Sequence, residues 1–236
     1  MCIKRFSPAE NQNEQMLTME SDMKPTQSRR LIQTALSTGL PGLLCLGFAG
    51  AASAQTSAAG LAAAERFAVE HCAACHGPTG QSAAANFPRL AGQNEVYLVK
   101  QLKDFASGDR KSPMMKEKVQ LMDDAMIGAL ATYYSRQQAA YSPSSDTQLM
   151  AVGQFVYQRG NAYAGLPACQ SCHGDKALGS QQLPRLAGQH PAYIANQLRN
   201  FHQQQRSNDN VTMKFVTSRM SDLEVNAVAE YLGNLH

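Results

Sequence analysis

Apolar residues recur along most of this chain at helical rather than alternating spacing. Tyr97, Gln101 and Phe105 stand four apart with Leu98 and Leu102 beside them, and Tyr193, Gln197, Phe201 and Leu198 repeat the pattern, which predicts one apolar stripe on each of two amphipathic helices. Upstream of each stripe, "AAGLAAAERFAVEHC" and "TQLMAVGQFVYQRG" are rich in strong helix formers and predict helices running into the segments that follow. A terminal helix is expected from Ser221, with Glu224 three residues on as a capping box, carrying Leu223, Val225, Val228, Tyr231 and Leu232 toward a core. In the first half Asp123 is the expected N-cap, ahead of Met126, Ile127, Leu130 and Tyr133. Strand-like alternation is nearly absent, so the predicted class is all-α.

The pattern occurs twice. "FPRLAGQNEVYLVKQLKDF" (87–105) aligns with "LPRLAGQHPAYIANQLRNF" (183–201) without a gap at an offset of 96, and "MKEKVQLMDDAMIGALATYY" aligns with "MKFVTSRMSDLEVNAVAEYL" at an offset of 98. The chain is therefore read as a duplicated domain, 55–140 and 148–236, joined by a linker at 141–147 whose Pro143 and serines supply turn chemistry.

Residues 1–54 read as an N-terminal extension and export signal. Arg29 and Arg30 precede a largely apolar run that ends in Ala52-Ser53-Ala54, the small-x-small form of a cleavage site, and the cut is expected after Ala54. Gly39, Pro41, Gly42, Gly47 and Gly50 interrupt the run, which falls short of the ~20 solidly apolar residues a membrane span requires. The expected mature chain has no transmembrane span and lies in the periplasm, free or held peripherally at the membrane. A net charge of +3 over 236 residues, with no clustered Lys and Arg, argues against nucleic acid as a partner.

Removing the leader changes the meaning of the cysteines. Cys2 and Cys45 leave with it, and the remaining four, Cys72, Cys75, Cys169 and Cys172, form two Cys-x-x-Cys-His pentads closed by His76 and His173. A thioredoxin-type pair or a zinc site also uses Cys-x-x-Cys, but neither calls for a histidine directly after both pairs in an exported chain. Covalent haem does: two thiols one helical turn apart add to the two vinyl groups, and the adjacent histidine reaches the iron. The expected cofactors are two haem c groups.

For the opposite face of each iron the candidates are Met115 and Met213, which lie 39 and 40 residues after their histidines in segments read as loops. Met114 is the rival for the first site, and Met122 and Met220 are read as core packing. Beyond the pentads, His71, His190, His202 and His236 do not recur in both halves, and His190 and His202 are read as surface residues. Arg110, Lys111, Lys116 and Lys118 are weighed as a docking rim or, more simply, a solvated charged face. Each half is near neutral, with 9 basic and 8 acidic side chains in residues 55–142 and 7 and 6 in residues 143–236.

The two CxxCHG segments, the two "PRLAGQ" segments, the "YLxxQLxxF" helix and the methionine before an acidic-capped terminal helix resemble the dihaem cytochrome c4 family, from about Leu61 to Leu235. The resemblance implies two tandem class I cytochrome c domains related by a pseudo-twofold. It implies that the carbonyls of Pro88 and Pro184 accept the proton on the proximal ring's other nitrogen, and that Leu90 and Leu186 pack on the porphyrin. It also implies an electron carrier between redox proteins, a quinol-oxidising complex as donor and a terminal oxidase as acceptor, with the cbb3 type among the candidates. A dihaem subunit of a flavocytochrome c sulfide dehydrogenase, or of another periplasmic dehydrogenase, is the alternative. The matched methionines argue against a peroxidase, which needs an open or low-potential iron.

Overall fold

The computed structural model describes residues 57–144 and 146–236, which fall within one compact unit; the export signal and its expected cut lie outside the described residues. Among those residues there are helices and no β-strand, only an isolated bridge between Asn161 and Leu166.

In the first half, α1 (Ala58–Phe67) starts on Ser57, whose hydroxyl accepts from the Gly60 N–H at 3.1 Å, and passes through a π-helical stretch (Ala68–Cys72) into α2 (Ala73–His76). α3 (Glu95–Ser107) stops at Gly108, α4 (Pro113–Val119) is capped by Ser112, and α5 (Asp124–Ser135) by Asp123. The Asp123 carboxylate accepts from the Met126 N–H at 2.8 Å, as its position predicts. The second half repeats the order with α6 (Thr147–Arg159), α7 (Gln170–His173), α8 (Pro191–His202), α9 (Thr212–Thr217) and α10 (Asp222–Asn234). The Ser221–Glu224 capping box is formed.

The entry into the second pentad differs from the sequence expectation. α6 does not continue to Cys169 as α1 continues to Cys72; it stops at Arg159. Gly160 follows at φ +68°, where a Cβ would sit 2.2 Å from the Leu166 carbonyl oxygen, and the chain makes a short bridged turn before α7. Only glycine fits that combination of backbone angle and close approach.

Within each half the first helix crosses the last, α1 on α5 and α6 on α10, and the middle helix packs on the last. Two separate cores result. One contains Ala64, Leu98, Leu130 and Tyr134, the other Val156, Tyr157, Ile194, Val228 and Leu232. At the α6–α10 crossing the backbones touch, because a Cβ on Gly153 would lie 2.0 Å from the Ala227 carbonyl oxygen.

Between the halves there are polar contacts, several of which come in mirrored pairs. Arg89 N–H donates to Gln189 Oε1 at 2.8 Å, and Arg185 N–H donates to Gln93 Oε1 at 2.7 Å. Arg110 donates to Tyr193 Oη at 2.8 Å, and Arg206 donates to Tyr97 Oη at 2.9 Å. The guanidinium groups of Arg110 and Arg206 each lie 4.6 Å from the centroid of a ring in their own half, Phe105 and Phe201. Residue i meeting residue j′ while j meets i′ is the signature of a twofold contact, here approximate because the two halves differ in sequence.

These contacts correct three sequence expectations. The middle-helix stripe is only partly apolar in use: Leu98 and Phe105 are buried in the first half, whereas Tyr97 and Gln101 face a polar cluster between the halves. Arg110 is neither a docking rim nor a solvated face, but an interface residue. His190 is buried at 6% exposure, and its Nε2 lies 2.8 Å from the Ser82 carbonyl of the other half. His202 is exposed, as expected.

Two outcomes follow from this packing. Gly153→Ala gains about 1 kcal/mol of helix propensity but must force apart two touching backbones, an overpacking cost of about 1–3 kcal/mol or more; thermal unfolding is expected to show a lower midpoint, and a higher one would mean that the crossing yields freely. His190 is the second case: burial pushes its protonation below the ordinary imidazole range, with Arg89 adding to the effect and the Ser82 carbonyl opposing it. A lowered folded-state pKa stabilises the fold above the unfolded value of about 6.5, and that stability is lost as pH falls below it. Wild type is expected to lose stability relative to His190→Gln on acidification from pH 7 to 5, and parallel pH curves would refute this.

Candidate functional site

The first pentad occupies the end of one continuous helical run and the second a separate turn of helix. Both helices end at a glycine with positive φ, Gly77 at +75° and Gly174 at +79°, which turns the chain away directly after the histidine. Tyrosines outside the pentads hold these turns: Tyr133 Oη donates to the Pro78 carbonyl at 3.2 Å, and Tyr157 Oη to the Gly174 carbonyl at 2.6 Å. Neither contact is readable from pentad spacing.

None of the four pentad cysteines is paired in a disulfide. In the unattached chain burial raises the pKa of Cys72, against the opposing pull of Tyr134 and Lys118, and pushes Cys169 up to about 11. Among the described residues no three His, Cys, Asp or Glu side chains converge as a group able to hold a metal ion, which leaves a zinc reading of the pentads without a donor set.

His76 is 8% exposed, and its Nδ1 lies 2.9 Å from the Pro88 carbonyl oxygen. His173 is half-buried and faces the Pro184 carbonyl, although its Nδ1 falls short of hydrogen-bond geometry. Burial lowers the pKa of both rings, opposed in each case by the proline carbonyl. Both shifts favour the neutral ring, with Nδ1 turned to a carbonyl, so that Nε2 could serve as a metal donor.

One continuous cavity of about 1740 Å³ runs past both pentads, and Met115, Met122, Met213, Met220, Leu90 and Leu186 also line it. Such a volume exceeds the ~300–1,000 Å³ of a pocket for one small ligand. Among the described residues the buried atoms Arg89 Nε, Tyr134 Oη, His173 Nδ1 and Asp209 Oδ1 lack a hydrogen-bond partner, and these residues line the cavity. A large cavity whose lining residues carry orphaned polar groups fits a bound group with polar atoms of its own.

The two candidate methionines lie on short helices rather than in loops. Met115 is on α4 and Met213 on α9, and upstream side chains fix both backbones: Ser112 accepts from the Met115 N–H at 3.4 Å, and Asp209 accepts from the Met213 N–H. Pro113 at the start of α4 explains the first, since its fixed φ and missing N–H suit a helix's first turn. Into α9 the chain turns through Asn210 and Val211 at φ +57° and +65°, a left-handed conformation costly for a β-branched residue, and no local sequence signal points to it. Met115 is half-buried and Met114 is 50% exposed. Met122 and Met220 pack against the two cores, as expected, while also reaching the cavity. His71 lines the cavity too, its ring centroid 4.4 Å from that of Phe67.

Comparison with known proteins agrees with this arrangement. The family model for cytochrome c matches twice, at residues 61–141 and 153–236. Cytochrome c4 of Azotobacter vinelandii is 38% identical over 207 residues, covering 82% of this chain and 96% of that protein. The thiosulfate dehydrogenase electron acceptor of Thiomonas intermedia is 39% identical over 166 residues, covering 68% and 76%. The crystal structure of reduced cytochrome c4 from Pseudomonas stutzeri superposes with a TM-score of 0.69 at 34% identity, over 75% of this chain and 98% of that one. A bound haem c supplies an iron that passes single electrons by cycling between ferrous and ferric states. With two cytochrome c domains, two pentads and one cavity serving both, the chain belongs to the cytochrome c4 family of electron carriers, whose two haem c groups are covalently bound.

Proposed function

We propose that this chain is a periplasmic carrier that takes electrons from a quinol-oxidising complex and delivers them to a terminal oxidase, the cbb3 type included. In this reading Cys72 and Cys75 anchor the first haem and Cys169 and Cys172 the second. His76 with Met115, and His173 with Met213, are the axial pairs. Pro88 and Pro184 orient the histidines, while Leu90 and Leu186 cover the porphyrins. The observation that carries the reading is that both methionines and both histidines line one cavity. Exposure favours Met115 over Met114. Thioether ligation raises the potential and closes the iron to exogenous ligands, which suits a shuttle rather than a peroxidase. Among the described residues no helix is long and apolar enough to cross a membrane.

A second reading, service to a periplasmic dehydrogenase, is favoured by the 39% identity to a protein named as the electron acceptor of thiosulfate dehydrogenase. Purification from native membranes and soluble extract separates the two: a shuttle runs as a free protein, a subunit runs with a catalytic chain.

The ligand assignment has its own test in a spectroelectrochemical titration of the haem-loaded protein, following the near-infrared band of thioether sulfur on ferric iron. Both irons are expected to carry the band at high potential, and Met115→Ala and Met213→Ala each to lose about half of it. An unchanged band in either variant removes that methionine as a ligand.

A further inference from the structure

The peptide unit between Pro88 and Arg89 is hydrogen-bonded on both sides. Its carbonyl faces His76 Nδ1 at 2.9 Å, and its N–H donates to Oε1 of Gln189, in the other half, at 2.8 Å. The same glutamine returns a bond, donating Nε2 to the Arg89 carbonyl at 2.9 Å. The mirror arrangement joins the Pro184–Arg185 peptide to Gln93: Arg185 N–H donates to Oε1 at 2.7 Å, and Nε2 donates to the Arg185 carbonyl at 2.9 Å. Both glutamines are buried, at 7% and 8% exposure. In such surroundings hydrogen bonds in series polarise one another.

We propose that Gln189 and Gln93 are positioning residues for the proximal histidine of the opposite half, so that each half tunes the reduction potential of the other's iron. The inference rests on the histidine ligation given above. An amide whose N–H is engaged by an acceptor carries more negative charge on its oxygen. A more negative Pro88 oxygen draws the Nδ1 proton of His76 harder, makes the imidazole a more basic ligand, and favours the more highly charged ferric iron. Gln189 would therefore lower the potential of the first haem from the opposite half of the chain. Gln93 does the same for the second haem more weakly, because His173 Nδ1 is less well aligned on its carbonyl.

A purely structural role makes a different prediction. The two clamps contribute equivalent bonds to one nearly symmetric contact, so if they only hold the halves together, losing either one loosens both sites alike. Methionine in place of glutamine keeps the length of the side chain and removes its hydrogen bonds.

The experiment measures the potential of each haem in the full, haem-loaded chain for wild type, Gln189→Met and Gln93→Met, with the halves assigned through the Met115→Ala and Met213→Ala variants and ligation followed by the near-infrared band. Gln189→Met is expected to shift the first haem positive and leave the second unmoved; Gln93→Met is expected to shift the second positive, by less, and leave the first unmoved. Gln189→Glu retains an oxygen on the Arg89 N–H and is expected to return the first potential to the wild-type value or below it. The reduced protein gives a second readout, since the His76 Nδ1 proton resonance should move upfield in Gln189→Met and stay in Gln93→Met. Equal shifts of both haems, shifts confined to the glutamine's own half, or no shift with the thioether band intact would each overturn the proposal. A wild-type protein lacking the band would defeat the methionine assignment alone, and the proposal would still stand or fall on the potentials and on the His76 Nδ1 resonance.

Discussion

The buried glutamine clamp between the halves is the contact on which the site geometry depends. Residues 88–93 and 184–189 are outside any helix; Leu90, Ala91, Leu186 and Ala187 bond through their N–H groups within their own half, but the N–H groups of Arg89 and Arg185 do not, and buried backbone groups left unpaired are costly. Each segment is completed by an amide from the opposite half. The segment carries the proline carbonyl that faces the pentad histidine, so the orientation of each imidazole is referred through a few bonds to the other half of the molecule. Cores alone would not do this, because the two hydrophobic clusters are separate and fix only the helices around each pentad.

Around that clamp the duplication is kept in some places and abandoned in others. The arginine–tyrosine pairs, the arginine–phenylalanine contacts and the glutamine bonds retain both copies. The pentad approaches diverge, with a continuous run through a π-helical stretch in one half and a break at Gly160 in the other. His76 is well bonded and His173 is not, and Cys172 is exposed while Cys75 is half-buried. A pair of sites so arranged is equivalent in residue type and unequal in environment.

Much of the fold was legible because it is written locally. Asp123 and the Ser221–Glu224 box mark helix starts with side chains within four residues of the groups they cap, and the pentads state their chemistry in five residues. The break after Arg159 was also legible, since the helical stretch "TQLMAVGQFVYQRG" ends at Gly160, and Gly165 and Pro167 follow before the pentad. What could not be read is what comes from the other half. Laying one repeat over the other shows that Gln93 matches Gln189 and Arg110 matches Arg206, but not that each reaches across a dyad. His190 has no counterpart, so the comparison gave it no role, and its partner is a backbone carbonyl that leaves no mark in sequence. The helices around Met115 and Met213 are too short for periodicity to detect, and the second begins in a backbone conformation that Val211 disfavours.

The mirrored contact has a consequence for assembly. The glutamine–peptide and arginine–tyrosine bonds each find their likeness on the other side, so nothing in that paired set requires that the two halves share a chain. Two copies of a single half would present the same self-complementary face to each other, with an association that depends on concentration. The short connection around Tyr141–Asp146 removes that dependence: Ser142 N–H is bonded to the Gly233 carbonyl at 2.8 Å, which pins the connection to the second half and holds the first at a high effective concentration. A contact that never has to find its partner can remain polar and modest, and its bonds are then free to be chosen for what they do to the histidines rather than for how tightly they hold.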